Sequence, residues 1–313
     1  METFQKWDIL VPELREHSLS YLRSRDLFRY SQCAKVCNAE VQKFNAIAPK
    51  TVRLHEFDTV DCISLTLKYP NKSEVELSFE QVDESQYKLD RSYLHSNHFQ
   101  RPTILQGNAR EAALQYFAKC YKYVKTGVTS KMTIHCKRWQ MEWNTIPAIY
   151  QAQSWDIKVY PCIYQECIRF ISRNPNIKKL RLWSETGDSK DLTLPSSFFQ
   201  SILFRQLDHG VIKVNSSIQD VDFLESPAFF LSLKCDTISY NAINRKIKNW
   251  YNGRSECTFT INFITPRMIT WSDFLFDIPA IELSVREAKI VRPDGESRMA
   301  VIYNDMFAFL LIE

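Results

Sequence analysis

The sequence predicts an α+β fold in which a small three-helix unit precedes a larger domain of helices and strands. Residues 7–44 carry apolar side chains at helical spacing in three short stretches. Residues 51–79 change to the alternation of apolar and polar positions that is typical of strands. From residue 111 to residue 264, helical and strand patterns then follow one another. We therefore predict two domains, residues 1–48 and residues 49–313.

The first domain is predicted from the breaks between its helices. Pro12 suits the first turn of a helix, where its missing N–H costs nothing. Leu14 and Leu22 follow it at helical spacing, and Ser24 or Asp26 can cap a second helix. A segment this short rarely buries enough core to be stable alone. It is therefore either a cap on the larger domain or a binding module for another protein.

The same segment resembles an F-box, whose usual pattern is Leu-Pro-x-Glu-Leu, an apolar helix ending in Leu, a short turn, Asp-Leu and a further helix. Val11, Ser18 and Cys37 depart from this pattern, where Pro, a large aliphatic residue and Trp are common. The positions in register are Leu10, Pro12, Glu13, Leu14, Leu19, Tyr21, Leu22, Asp26, Leu27, Ser31 and Val41.

The F-box resemblance implies a partner. F-boxes bind the S-phase-kinase-associated adaptor protein, and through it a cullin, in SCF-type cullin-RING ubiquitin ligases. The positions expected to contact the adaptor are Leu10, Pro12, Leu14, Leu22 and Leu27.

The second domain is predicted to begin with three short strands at residues 51–54, 62–69 and 74–79. Residues 81–107 are polar and rich in Ser, Asn, Gln and Asp, which predicts a long loop or an irregular segment. Beyond it we predict helices at 111–124, 164–171, 195–203 and 241–250, and strands at 131–136, 155–160, 177–183, 211–214, 228–233 and 258–264.

This alternation has a period of about 20–30 residues, the range of leucine-rich repeats. The consensus Leu-x-x-Leu-x-Leu-x-x-Asn is not kept. We interpret the second domain as an irregular leucine-rich-repeat-like α/β domain. A two-layer α/β domain unrelated to repeats is the alternative.

A second resemblance covers residues 238–313 most clearly. A helix ending in Trp250 and Gly253, a hairpin with the turn Pro293-Asp294-Gly295, and an aromatic C-terminal strand are similar to the F-box-associated domain type 2. That family is greatly expanded in nematodes. Together the two resemblances imply a substrate receptor that binds the adaptor through its F-box and a target protein through the second domain.

Composition narrows the class of protein. The chain of 313 residues is 45% hydrophobic and 13% aromatic, enough for a sizeable core, and its net charge of +4 neither requires nor excludes nucleic acid. The nine cysteines form no CxxC pair, and the first residues do not resemble a signal peptide. No run approaches about eighteen apolar residues, so no membrane partner is predicted. We expect a cytoplasmic or nuclear protein.

No catalytic, cofactor or metal site is predicted. The six glycines form no phosphate-binding loop, and no HExxH or GxSxG motif occurs. Cys33 and Cys37 lie one helical turn apart and could share a metal with His17 or His55, but core positions explain them better. His135 and its neighbour Cys136 fall on opposite faces of a strand and cannot act together.

The sequence leaves two alternatives to the receptor function. The first is an interaction scaffold without ligase function, which the departures at Val11 and Ser18 favour. The second, less favoured, is a nucleic-acid binder that uses basic residues beside aromatic ones. The basic positions concerned are Arg245, Lys246 and Lys248 before Trp250, and Lys178, Lys179 and Arg181 before Trp183. For target binding the candidates are edge strands, the aromatic C-terminal strand and residues 81–107, with no residue singled out.

Overall fold

The computed structural model describes residues 51–56, 62–68, 74–93, 101–122, 131–135, 153–174, 176–184, 192–265, 270–303 and 308–312. The predicted F-box, residues 1–48, lies outside them. The chain divides into two compact units, Met1–Thr133 with Ile146–Gln151 and Ile134–Thr145 with Ala152–Glu313. The predicted boundary at residues 48/49 stays a prediction.

The described part of the first unit is an antiparallel meander with a helix on it. Helix α1 (Ala109–Lys122) lies next to the second and third strands. Each strand pairs with the next one along the chain. The strands are β1 (Thr51–Glu56), β2 (Cys62–Lys68), β3 (Glu74–Gln81), β4 (Gln86–Tyr93) and β5 (Thr103–Gln106).

The prediction of a long loop or an irregular segment over residues 81–107 is wrong, because β4 and β5 lie within it. Tyr87 and Leu89 alternate into the core at 7% and 3% exposure. Lys88 and Asp90 alternate with them and face the other side of the sheet, so among the side chains of this strand that the structure describes only two are buried and apolar, and its sequence is largely polar. Pairing of β4 with β3 satisfies its backbone groups.

The chain passes to the second unit within β6 (Lys131–His135). Five further strands run parallel in the spatial order β7, β8, β10, β11, β12, and the short β9 pairs with β10. These strands are β7 (Ser154–Lys158), β8 (Lys179–Trp183), β9 (Thr193–Leu194), β10 (His209–Ser216), β11 (Phe230–Lys234) and β12 (Thr258–Asn262). The helices between them are α2 (Tyr164–Ser172), α3 (Ser196–Phe199), α4 (Asp220–Glu225) and α5 (Tyr240–Tyr251).

The end of the chain forms antiparallel strands beside β12. Helix α6 (Trp271–Phe274) comes first, and the spatial order continues from β12 through β16, β15 and β14 to β13. The strands are β13 (Ala280–Ser284), β14 (Glu287–Val291), β15 (Ser297–Tyr303) and β16 (Ala308–Ile312). The turn predicted at Pro293-Asp294-Gly295 is confirmed between β14 and β15, where Gly295 takes φ +92°.

The predicted fold class, a three-helix F-box followed by a leucine-rich-repeat-like α/β domain, is wrong for the part of the chain that the structure describes. Strands dominate, and they form an antiparallel sheet in the first unit and a mixed sheet in the second. Several helices are only one turn long, such as Ser196–Phe199 and Trp271–Phe274. Local periodicity had indicated most of the strands, but it carries no information about which strands pair.

The core of the second unit lies on one face of its parallel strands. Trp155 on β7 meets Phe170 on α2 with ring centroids 5.3 Å apart, and Phe259 on β12 meets Phe223 on α4 at 5.4 Å. Ten residues share this face, and each is at most 1% exposed: Trp155, Ile157, Leu180, Leu182, Ile212, Val214, Leu231, Leu233, Phe259 and Ile261. Burial of this face under helices gives the unit its main hydrophobic stabilisation.

Trp250 packs helix α5 against the C-terminal strands. Its ring, 1% exposed, lies under the guanidinium groups of Arg292 and Arg298, at 5.5 and 4.9 Å from ring centroid to Cζ. Gly253 ends the helix at φ +67°, and a Cβ there would stand 3.4 Å from Arg292 Nη2. The helix end and the hairpin noted from the sequence therefore meet at one tryptophan.

Replacing Phe259 tests this core. Phe259→Ala is expected to lower the free energy of unfolding by about 3–5 kcal/mol, because a fully buried ring leaves a cavity. Phe276→Ala removes a ring that is 68% exposed and should cost less than about 1 kcal/mol. Denaturant unfolding followed by tryptophan fluorescence measures both variants. Equal losses would contradict the core position of Phe259.

Candidate functional site

The parallel strands of the second unit present a second face, opposite the buried one, which we call the open face. Strand pairing arranges its side chains in three levels along the strands. The first level holds Ser154, Lys179, His209, Phe230 and Thr258, and the second holds Asp156, Arg181, Val211, Ser232 and Thr260. The third holds Lys158 and Trp183 on one side of a bulge in β10, and Asn215, Lys234 and Asn262 on the other.

A charged and aromatic cluster occupies the β7–β8 side of the open face. Asp156 accepts a hydrogen bond of 2.8 Å from Trp183 Nε1 and pairs with Arg181 at 3.6 Å. Lys158 Nζ lies 5.7 Å from the centroid of the Trp183 ring, and His135 meets that ring edge-on at 5.1 Å. Asp156 and Lys158 are each 6% exposed. The carboxylate and both cations therefore hold the tryptophan in one orientation.

His209 and Phe230 form a second aromatic contact, at the first level. Their rings stack with centroids 4.6 Å apart. Burial lowers the pKa of the His209 imidazole, and the nearby charge of Lys179 lowers it further. His209 is therefore held neutral at physiological pH.

Three lysines give the open face unbalanced positive charge. Lys179 and Lys213 are exposed and Lys234 is half-buried. No ion pair joins any of the three to a carboxylate among the residues that the structure describes. Lys213 follows buried Ile212 at the bulge of β10, and alternation along the strand places it on the open face.

The basic helix predicted as a nucleic-acid contact does not present a continuous basic surface. Arg245 is exposed, but Lys246 is 2% exposed and donates from Nζ to the carbonyl oxygens of Phe223, Leu224 and Ser226 at 3.0, 3.2 and 3.0 Å. Lys248 pairs with Asp277 at 3.6 Å. Lys246 therefore caps the end of α4, and burial lowers the pKa of its ammonium group.

A cavity of about 350 Å³ lies beside Lys246 in the second unit. Its wall includes Asn249, Arg254 and Cys257. Burial raises the pKa of the Cys257 thiol, although the charges of Lys246 and Arg298 oppose the shift. A thiol kept protonated is a poor nucleophile, and all three Lys246 donors are already occupied, so this wall offers no activated group.

Of the candidate metal and catalytic residues from the sequence, the structure describes His55 and His135. No three His, Cys, Asp or Glu side chains gather as a metal site requires within the described ranges. His55 lies on β1 and His135 on β6. Cys33, Cys37, His17 and Cys136 lie outside the described residues.

The predicted adaptor contacts at Leu10, Pro12, Leu14, Leu22 and Leu27 also lie outside the described residues, so they stay a prediction. Among the target candidates, strand β13 is an edge strand with exposed Ile281 and Leu283, at 58% and 55%.

Sequence reasoning missed the open face itself. The sequence does not reveal that Lys213 and Lys234 share a face, because they lie on separate strands, far apart along the chain. The signal was present in the alternation within each strand, where a charged residue stands between two apolar ones, as in Lys213 between Ile212 and Val214.

Comparison with known proteins adds no family. The sequence matches no family model, and searches of curated proteins and of solved structures found no match. The F-box and F-box-associated resemblances therefore rest on the motifs alone. Of the helices that the structure describes, none is both long enough and apolar enough to cross a membrane.

Titration of His209 tests the first level of the open face. We expect its pKa below the ordinary 6.5, and Lys179→Gln should raise it towards that value because one cause of the shift is removed. Lys213→Gln, at the other end of the open face, should leave the His209 pKa unchanged. NMR titration of the ring measures the pKa.

The same shift makes the stability of the protein depend on pH. The folded imidazole binds a proton less readily than the unfolded one, so its contribution to the free energy of unfolding is complete above pH 6.5 and is lost as the pH falls below 6.5.

Removal of the buried ammonium group tests the cap on α4. Lys246→Met should lower the free energy of unfolding by about 2–4 kcal/mol, because three carbonyl oxygens lose their donor in a buried setting. Arg245→Met, at the exposed neighbouring position, should change it by no more than about 0.5 kcal/mol. Thermal and denaturant unfolding provide the comparison. A neutral Lys246→Met would show that the cap is dispensable.

Proposed function

We propose that this chain is a non-catalytic substrate receptor of an SCF-type ubiquitin ligase. The observation that carries the proposal is the F-box pattern of residues 7–44, in which Leu10, Pro12, Leu14, Leu22 and Leu27 stand in register with the adaptor-binding positions of that family. These apolar anchors would bind the adaptor, since a few buried side chains supply most of the energy of an interface. A cullin would join through the adaptor.

The second unit supports this proposal as a rigid frame for a target protein. Helices cover one face of its parallel strands, and the open face presents charged and aromatic side chains instead. A surface of this kind suits protein recognition, because fixed side chains lose little freedom on binding.

The contribution of such a receptor is proximity. Holding a target beside the charged ubiquitin carrier turns a chance encounter into an intramolecular step with a high effective concentration. The receptor needs no nucleophile, general base or cofactor of its own. We accordingly place the protein in the cytoplasm or nucleus, which also suits nine cysteines with no CxxC pair.

A scaffold that binds target proteins without ligase function is the second candidate. Val11 and Ser18 favour it, because they stand where many F-boxes carry Pro and a large aliphatic residue. Ser18 in place of a large aliphatic residue removes apolar contact area from a small module.

Co-purification with the adaptor separates these two candidates. Co-expressed chain and adaptor are expected to elute as a one-to-one complex. Pro12→Ala combined with Leu22→Ala should abolish it, because both residues are predicted anchors. Size-exclusion chromatography with mass determination measures the stoichiometry.

A matched double variant controls for general damage. Pro293→Ala with Leu283→Ala changes the same residue types at exposed positions of the second unit and should leave the complex intact. Circular dichroism confirms that each variant is folded. No complex with any adaptor paralogue would reject the ligase receptor and favour the scaffold.

A further inference from the structure

We propose that the open face binds an extended acidic segment of a partner protein. This inference rests on the proposed function, because it names the chemical class of the target that the receptor would bind. The binding step itself requires neither the adaptor nor the F-box.

The first argument is charge. Among the three levels and the bulge of β10, the positive side chains are Lys158, Lys179, Arg181, Lys213 and Lys234, and the negative one is Asp156. Asp156 is already engaged with Arg181 and with Trp183. Lys158 is 6% exposed and lies over Trp183, so the positive charge that a carboxylate-rich partner would neutralise is that of Lys179, Lys213 and Lys234.

The second argument is geometry. The accessible cations lie on β8, β10 and β11, and two strand-to-strand steps of about 4.8 Å span about 10 Å. An extended chain rises by about 3.3 Å per residue, so about three residues cross that distance. Carboxylates along a segment of this length would lie near Arg181, Lys213 and Lys234.

The third argument is preorganisation. Trp183 is half-buried, and its ring is fixed by the hydrogen bond to Asp156 and by the edge of His135. A rigid aromatic beside the lysines offers apolar contact at little cost in side-chain entropy. An acidic segment with an apolar residue among its carboxylates would use both features.

The same contacts disfavour a nucleic acid. Single strands bind through aromatic faces on which bases stack. On the open face, Lys158 and Arg181 lie over the Trp183 ring at 5.7 and 5.8 Å, and His209 stacks on Phe230 at 4.6 Å. A base would have to displace these contacts to stack on either ring, whereas carboxylates need only Lys179, Lys213 and Lys234, which make no ion pair with a carboxylate among the described residues.

Fluorescence anisotropy with the purified full chain tests the proposal. The probe is a labelled peptide of about eight residues that alternates Glu and Ser around one central Leu, a length that spans the face with some margin. Lys213→Glu combined with Lys234→Glu should weaken its binding at least about tenfold, since two attractive contacts become repulsive. Raising the salt concentration should weaken wild-type binding as well.

The matched control reverses the same number of charges elsewhere. Arg169→Glu with Arg245→Glu alters exposed positions on helices α2 and α5 and should change binding less than about twofold. Equal weakening by both double variants, or no binding of the peptide to the wild type, would overturn the proposal. So would tighter binding of a single-stranded oligonucleotide of the same charge. Because the adaptor is absent, failure here leaves the co-purification result standing, and the reverse also holds.

Discussion

The second unit depends on the division of each parallel strand into a buried side and an open side. Side chains alternate with a period of two, so five strands in register place one apolar residue each on the same face: Ile157, Leu182, Ile212, Leu233 and Ile261. Helices packed over that face exclude water, and aromatic contacts such as that between Phe223 and Phe259 join the two layers. The other face is consequently left to polar and charged residues.

Two buried cations show how this arrangement is held together. Lys246 caps the last turn of α4, and Arg298 donates to the carbonyl oxygens of Glu256 and Cys257 while lying over Trp250. Each cation links segments that are distant along the chain. Buried charges are tolerated when hydrogen bonds compensate for lost hydration, and Lys246 has such bonds through Nζ and Arg298 through Nη1 and Nη2. The helix α5 therefore has a fixed place between α4 and the C-terminal strands.

The proposals for function assign separate tasks to separate parts of the chain. Apolar anchors of the predicted F-box suit a permanent partner, because buried hydrophobic area supplies affinity. The unpaired lysines of the open face suit a partner chosen by charge, because electrostatic complementarity contributes specificity and association rate more than affinity. A receptor needs both properties, and neither requires catalytic chemistry.

The sequence by itself determined the local elements. Helix α5 and the strands β1, β7 and β12 follow from apolar periodicity, and the turn before β15 follows from Pro293-Asp294-Gly295. The tertiary structure decided the rest. In the folded chain, the polar stretch of residues 81–107 contains strands β4 and β5. Lys246 is buried, and Lys213 and Lys234 lie on the same face of the sheet. Each of these results depends on pairing between distant residues, and local periodicity does not encode pairing.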